Sequence, residues 1–332
     1  MKKLTKIGVS ALAGSLAAAS AVNAAEMSVA GGAKLTYTSE DVKNQTTGNN
    51  FGMANTLLFS ATGDVNGYDV TYRTTLADDG ADWSSSQISI DMGDMGAIAF
   101  DQGVGGNGLD AFDDMTPTAY EESNDGMTGG LNYAGDESTN VFKYTNTIAG
   151  FSVNAMYDPA RGDSDTIDES FSGTGVSGNS TSIAVGLPSV VDGLAAGVAY
   201  GEDGVADGTT TSTDIESIIG FAKYAMGPIT VGYQMAETSG GTAGATMKAI
   251  EGYGIVFNVN ENLSVSYNQL DQEFKNTGGT ADVTEESTGI AVAYTMGSAS
   301  IAIQNNEQDN AAGATGATAN EERTEIALAL SF

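Results

Sequence analysis

The chain closes on Thr324-Glu325-Ile326-Ala327-Leu328-Ala329-Leu330-Ser331-Phe332, and this stretch decides the fold. Ile326, Leu328, Leu330 and Phe332 alternate with Glu325, Ala327, Ala329 and Ser331. A period of two marks a strand with unlike faces. At the bare end of a soluble protein such a strand, ending on a bulky apolar residue, would tend to fray. It asks instead for an apolar phase on one side, water on the other, and a neighbouring strand to close on.

The same alternation recurs upstream. Over 68–76 one face carries Tyr68, Val70, Tyr72 and Leu76, and the other Asp69, Thr71, Arg73 and Thr75. Stretches 151–157, 229–235 and 263–267 repeat it. The second face is polar or small throughout, the reverse of a soluble sandwich, whose inner face is a dry core. Seven tight Gly/Asn/Asp-containing connections at 63–67, 91–96, 147–150, 188–193, 225–228, 258–262 and 295–298 read as hairpin turns. Between them lie long acidic stretches such as 158–180, 201–216, 236–248 and 271–287. Seven turns join 14 strands, and a first strand at 28–38 and a last at 322–332 bring the count to 16. The predicted fold is all-β: a 16-stranded antiparallel transmembrane β-barrel with short turns at one end and long loops at the other. No stretch beyond the N-terminal segment reaches 18 uninterrupted apolar residues, so a spanning helix is excluded, and in lipid a closed barrel is what remains.

Aromatic placement agrees. Tyr72, Tyr157, Tyr200, Tyr233 and Tyr267 fall at the far ends of strands leaving the short turns. Tyr144, Tyr224, Phe257, Tyr294 and Phe332 fall at the ends of returning strands. Two aromatic girdles at the membrane interfaces would place residues this way.

Residues 1–24 combine Lys2, Lys3 and Lys6 with an Ala-rich apolar run and a small-x-small ending at Val22-Asn23-Ala24. That is the layout of a cleaved secretory signal peptide, which leaves 25–332 as the barrel. Setting that segment aside removes three of the 12 basic residues and none of the 43 acidic ones, so the remainder carries a formal charge of −34. So acidic a chain is no nucleic-acid binder. With 0 Cys there is no disulfide or thiolate chemistry, and with 0 His no Ser-His-Asp hydrolysis or His-ligated zinc. No enzyme activity and no resident cofactor is expected. Asp163, Asp165, Asp168, Glu202, Asp203, Glu285 and Glu286, in the long outer loops, either bind Ca²⁺ or Mg²⁺ or are simply solvated.

One long connection, 101–126, differs from the rest. Leu109, Phe112, Met115 and Tyr120 give it apolar anchors that a solvated loop does not need. A loop folded inward onto the barrel wall does need them. Strand parity sends Lys34, Arg73, Lys143 and Lys223 to the lumen, because a base facing lipid at the midplane costs about 2–4 kcal/mol.

The strand ending GAIAFDQG (96–103), the acidic loop containing GLDAFDDM (108–115) and the Phe-terminated last strand resemble the Gram-negative general porins, in their alphaproteobacterial form, over the whole of 25–332. The resemblance implies a trimeric outer-membrane barrel whose third loop narrows the lumen, its acidic residues facing bases on the wall. Carried onto this sequence, the loop acids are Asp110, Asp113, Asp114 and Glu121, and the wall bases Arg73 first, then Lys34 and Lys143. No dense arginine cluster is present, so the transverse field should be weak and the bias toward cations strong. In the family the second loop commonly latches onto a neighbouring subunit; here 77–86 carries the sole tryptophan, Trp83, which a lipid interface would explain equally well. The implied function is passive diffusion of small hydrophilic solutes. A substrate-specific channel is the main alternative, and an acidic adhesin-like surface β protein the other.

Overall fold

In the computed structural model the described residues are 26–41, 48–77, 83–128, 139–159, 178–204, 212–242, 247–275, 281–316 and 319–332. The expected signal peptide lies outside them, as do Asp163, Asp165 and Asp168, and nothing of the Trp83 side chain is described.

Sixteen strands form one closed sheet. They are β1 (Glu26–Asp41), β2 (Phe51–Val65), β3 (Tyr68–Ala77), β4 (Trp83–Asp91), β5 (Ala97–Gln102), β6 (Thr139–Ile148), β7 (Phe151–Asp158) and β8 (Ser180–Gly186). There follow β9 (Leu194–Asp203), β10 (Ser212–Met226), β11 (Ile229–Thr242), β12 (Met247–Asn258), β13 (Leu263–Lys275), β14 (Val283–Met296), β15 (Ala299–Asp309) and β16 (Glu321–Ser331). Each pairs antiparallel with its sequence neighbours, and β16 pairs with β1. All seven predicted turns fall between strands. At the β2–β3 hairpin both Asn66 (φ 56°) and Gly67 (φ 88°) take the positive φ that a right-twisted two-residue turn requires.

The seam matches the reading of the C-terminus. Leu35 faces Leu328 and Lys34 faces Ala329 across β1 and β16. Gly31 N–H donates to the Phe332 carbonyl at 2.7 Å, and Phe332 N–H returns a bond to Gly31 O at 3.0 Å. A Cβ on Gly31 would sit 3.1 Å from the Phe332 ring, so the aromatic lies directly over this glycine. Closure pairs the backbone of both terminal strands and leaves no sheet edge.

Outside, the barrel is apolar. Ile326, Leu328 and Leu330 are exposed, as are Ile301, Ile303, Val198 and Ile218. The girdle residues Tyr72, Tyr157, Tyr200, Tyr233, Tyr267, Tyr224, Phe257, Tyr294 and Phe332 are exposed with them. Tyr144 is partly covered, its hydroxyl donating to Met95 O at 3.0 Å.

The strands run longer than the alternation predicts. Glu285 and Glu286, expected in an outer loop, belong to β14, and β11 continues through Glu237 to Thr242. Glu285 is buried and accepts a hydrogen bond from Ala312 N–H at 2.5 Å. Past the upper girdle both faces of a strand meet water, so the lipid-facing apolar signal stops while the ladder goes on. Glu251, exposed next to Tyr253 and hydrogen-bonded to its hydroxyl at 3.1 Å, marks that boundary.

Part of the inside is dry. Ile219 and Ile250 point inward, at 0% and 2% exposure, and cluster with Leu109, Ala184, Ala199 and Ala236. Leu109 comes from the connection after β5, which therefore lies against the inner wall.

Candidate channel constriction

The β5–β6 connection folds inward, and neutral polar side chains of the wall receive its backbone in sequence. Asn154 of β7 accepts from Gly108 N–H at 3.1 Å and donates to Gly106 O at 2.8 Å. Ser182 of β8 accepts from Leu109 N–H at 3.1 Å. Gln234 of β11 takes up the 112–115 segment. Ser266 and Asn268 of β13 accept from Ala119 and Ser123 at 2.9 and 2.7 Å. Gln304 and Asn306 of β15 hold Glu121, Glu122 and Asp125. Each satisfied backbone group escapes the desolvation penalty of a buried orphan.

Inward glycines make the approach close enough. A Cβ on Gly201 would lie 2.4 Å from Leu109, on Gly197 2.7 Å from Phe112, and on Gly254 2.5 Å from the Pro117 carbonyl. Glycine inside a strand marks such a close approach. Of the predicted apolar anchors, Leu109 is fully buried and Phe112 meets Phe221 edge-on at 4.8 Å between centroids. Met115 lies beside Lys223, its sulfur 4.0 Å from Nζ. Tyr120 is held by its hydroxyl, which donates to Glu325 at 2.8 Å.

The loop's contacts thus run from β6 round to β16 and β1. Inward positions of β8, β14 and β15 are buried beneath it, whereas those of β2 stay open to the lumen.

The loop's carboxyls crowd together. Asp110 accepts from Gly106 N–H, and Asp113 accepts from Asp114 N–H at 2.8 Å. Burial, with Asp114 and Asp110 alongside, pushes the Asp113 carboxyl up to about 7. Burial likewise pushes Glu122 up to about 8, with Asp114 adding to it and a hydrogen bond from Thr116 (2.5 Å) opposing it. Glu121 is raised, mainly by burial and by Asp125, against the pull of Lys34. Together Asp114, Glu121, Glu122 and Asp125 line a recess of about 300 Å³ with Thr116, Thr118, Tyr120 and Asn124. On the short-turn side a cavity of about 930 Å³ opens beneath Ala111 and Phe112, lined also by Asp91, Asp94, Asn146 and Asn154.

The structure brings some of the expected bases to this loop. Lys34 Nζ donates to Glu121 Oε1 at 2.9 Å and lies 5.8 Å from the Tyr120 ring centroid. Lys143 Nζ donates to Gly105 O at 3.4 Å, within electrostatic reach of Asp101 and Asp110. Arg73, ranked first from the sequence, makes no ion pair among the described residues, and its buried Nε has no hydrogen-bond partner. It lies in a cross-strand row, Ser60–Arg73–Gln87–Asp101, where Gln87 rather than Arg73 bonds Asp101. Parity gave its direction; the neighbour across the strand takes the carboxylate.

Arg323 was not singled out from the sequence. Its guanidinium bonds Glu325 at 2.6 Å, lies 3.5 Å from Glu40, and donates to Asp125 O at 3.2 Å. Gly126 (φ +70°) wraps over it so tightly that a Cβ there would coincide with the guanidinium. The alternation Arg323-Glu325-Ala327-Ala329 already put Arg323 on the lumen face. Asp101, Glu122 and Asp125 are further site carboxyls, and nothing in their local sequence separates them from their acidic neighbours.

A closed sixteen-strand barrel with an apolar outside, a polar lumen and the β5–β6 loop laid across the inside is the architecture of an outer-membrane channel. The chain belongs to the Gram-negative porin family, whose model matches residues 8–330. No curated protein sequence matches it. Among solved structures, OmpT of Vibrio cholerae is similar at 12% identity and a TM-score of 0.70, over 93% of this chain and 98% of that one. The anion-selective porin of Comamonas acidovorans is similar at 13% identity and TM-score 0.64, over 93% and 100%. A mutant Rh. blastica porin is similar at 15% identity and TM-score 0.59, over 92% and 100%. At such identities the likeness is one of fold.

Proposed function

We propose that this porin is a general diffusion channel that prefers cations, working as a homotrimer after export with a cleaved signal peptide at 1–24. Small hydrophilic solutes pass between the inward loop and the open wall, and no bond is made or broken. One observation carries the preference: the inward loop presents Asp110, Asp113, Asp114, Glu121, Glu122 and Asp125, while Lys34 is the described base ion-paired to any of them. A lining of one sign concentrates its counter-ion and repels the other. The Comamonas acidovorans neighbour, an anion-selective porin, shares the fold, which supports reading ion preference from the lining charges rather than from the barrel. The trimer draws support from a Vibrio cholerae OmpT neighbour described in trimer form.

Lipopolysaccharide is the proposed outer-leaflet contact, with Ca²⁺ or Mg²⁺ between its phosphates and rim carboxylates such as Glu202 and Glu286. Among the described residues no three metal-ligating side chains converge, so each ion would take one or two carboxylates and complete its shell from phosphate and water.

Proteoliposome swelling in neutral sugars of graded size tests the diffusion reading. Swelling rates should fall smoothly with solute size. Uptake of a single sugar out of size order would favour a substrate-specific channel, and no swelling at all would overturn both.

A further inference from the structure

We propose that Gln234 and Gln304 are positioning residues that fix the aperture, by clamping the loop at the two ends of its acidic segment. The inference rests on the channel reading and deepens it.

Both side chains are almost wholly buried, at 2% and 4% exposure, on the inward faces of β11 and β15. Each turns its carboxamide onto loop backbone, Gln304 Nε2 also lying 2.9 Å from Asn306 Oδ1 of its own strand. Gln234 Nε2 donates to Phe112 O at 2.7 Å and to Asp113 O at 2.5 Å, and its Oε1 accepts from Met115 N–H at 2.8 Å. Gln304 Nε2 donates to Glu121 O and Glu122 O, both at 2.9 Å, and its Oε1 accepts from Glu121 N–H at 3.3 Å. A neutral carboxamide is the side chain suited to this work, because it offers two donors and an acceptor at once. Its hold also persists whatever the protonation state of the carboxyls around it.

Their spacing gives the pair its role. Asp113 and Asp114 lie within the turn of backbone that Gln234 holds and Glu121 within the one that Gln304 holds, with Ser266 supporting Ala119 between them. The distance from those carboxyls to the open wall is therefore set chiefly by where the two carboxamides hold the backbone. A Leu109–Phe112 contact alone would fix only the beginning of the segment. Lys34–Glu121 is an ion pair about a third exposed, and such pairs contribute little to holding a chain in place.

The test uses the full-length porin in planar bilayers. Gln234→Glu and Gln304→Glu keep size and the acceptor oxygen but replace the donating amide with an acceptor facing backbone carbonyls. Each should change single-channel conductance and raise open-channel noise by roughly twofold or more, because the narrowest lining sets conduction. Gln308→Glu is the control: Gln308 is equally buried but donates to Ser287 of the wall at 3.0 Å. Native conductance and noise in both clamp variants would overturn the proposal. Hydrogen exchange on the native protein gives a second arm that needs no variant to fold. The Met115 and Glu121 amide protons should exchange as slowly as strand amides, and exchange at loop rates would overturn the clamp. If the native protein carried no current, the channel reading would fail, and the exchange arm would still decide the clamp.

Discussion

Lys34 on β1 donates to Glu121 in the inward loop at 2.9 Å, so the first strand of the barrel is tied to the loop that follows the fifth. Both side chains remain about a third exposed, which puts the pair in the class worth about 0–1 kcal/mol. Its importance is therefore for the field in the lumen more than for stability. Lys34→Met should leave the barrel's thermal unfolding within a degree or two and increase cation preference, while Glu121→Gln should decrease it. Zero-current potentials of the two variants check this, and shifts of the same sign would contradict it.

Arg323 has the opposite balance. It is largely buried between Glu325, Glu40 and the Asp125 carbonyl. Removing one partner of a buried charge pair costs about 3–5 kcal/mol, because the other is left uncompensated. Arg323→Ala should therefore lower the temperature at which the folded barrel converts to the unfolded monomer on a detergent gel. Arg323→Ala with Glu325→Gln should recover part of that loss.

Gly254 has no room for a side chain, since a Cβ would meet the Pro117 carbonyl at 2.5 Å. Overpacking of this kind costs about 1–3 kcal/mol unless something moves, and here the loop is free to move toward the lumen. Gly254→Ala should reduce single-channel conductance. Gly220→Ala, where the nearest atom to the new Cβ is 3.8 Å away, should not.

Acidity should tune the constriction. The carboxyls of Asp113 and Glu122 are raised to about 7 and about 8, so both are charged at alkaline pH and take up protons as pH falls through neutrality. Cation preference should therefore weaken between about pH 9 and pH 6. Stability has the matching sign. A carboxyl raised in the folded state contributes fully below its ordinary value near 4, and that contribution is lost as pH rises through its folded value. Asp113→Asn with Glu122→Gln should flatten the selectivity profile over this range, and an unchanged profile would contradict the assignment.

The lipid-facing half of the fold was legible because lipid imposes a rule on every second residue. Ile326, Leu328 and Leu330 declare their face, and Asn66-Gly67 declares its turn. Above the girdle that rule lapses, which is why Glu285 and Glu286 read as loop although they sit in β14. Lumen direction for Lys34, Arg73 and Lys143 also followed from parity, but height along the pore did not. Barrel stagger decides that Lys34 meets Glu121 while Arg73 faces Gln87. Gln234 and Gln304 gave no signal at all, because a carboxamide on the polar face of a strand looks alike whether it meets water or a loop more than 100 residues away in sequence. The glycines at 197, 201 and 254 were a readable trace of that loop's path, visible as missing side chains on the inward face.

The zero-current potential across a single-channel bilayer under a potassium chloride gradient tests the central claim most directly. The loop carboxyls predict a potential of the sign set by potassium permeating faster than chloride, shrinking as salt is raised toward 1 M and screening shortens to about 3 Å. A potential of chloride's sign, or one indifferent to both salt and Asp113→Asn with Glu122→Gln, would contradict the account.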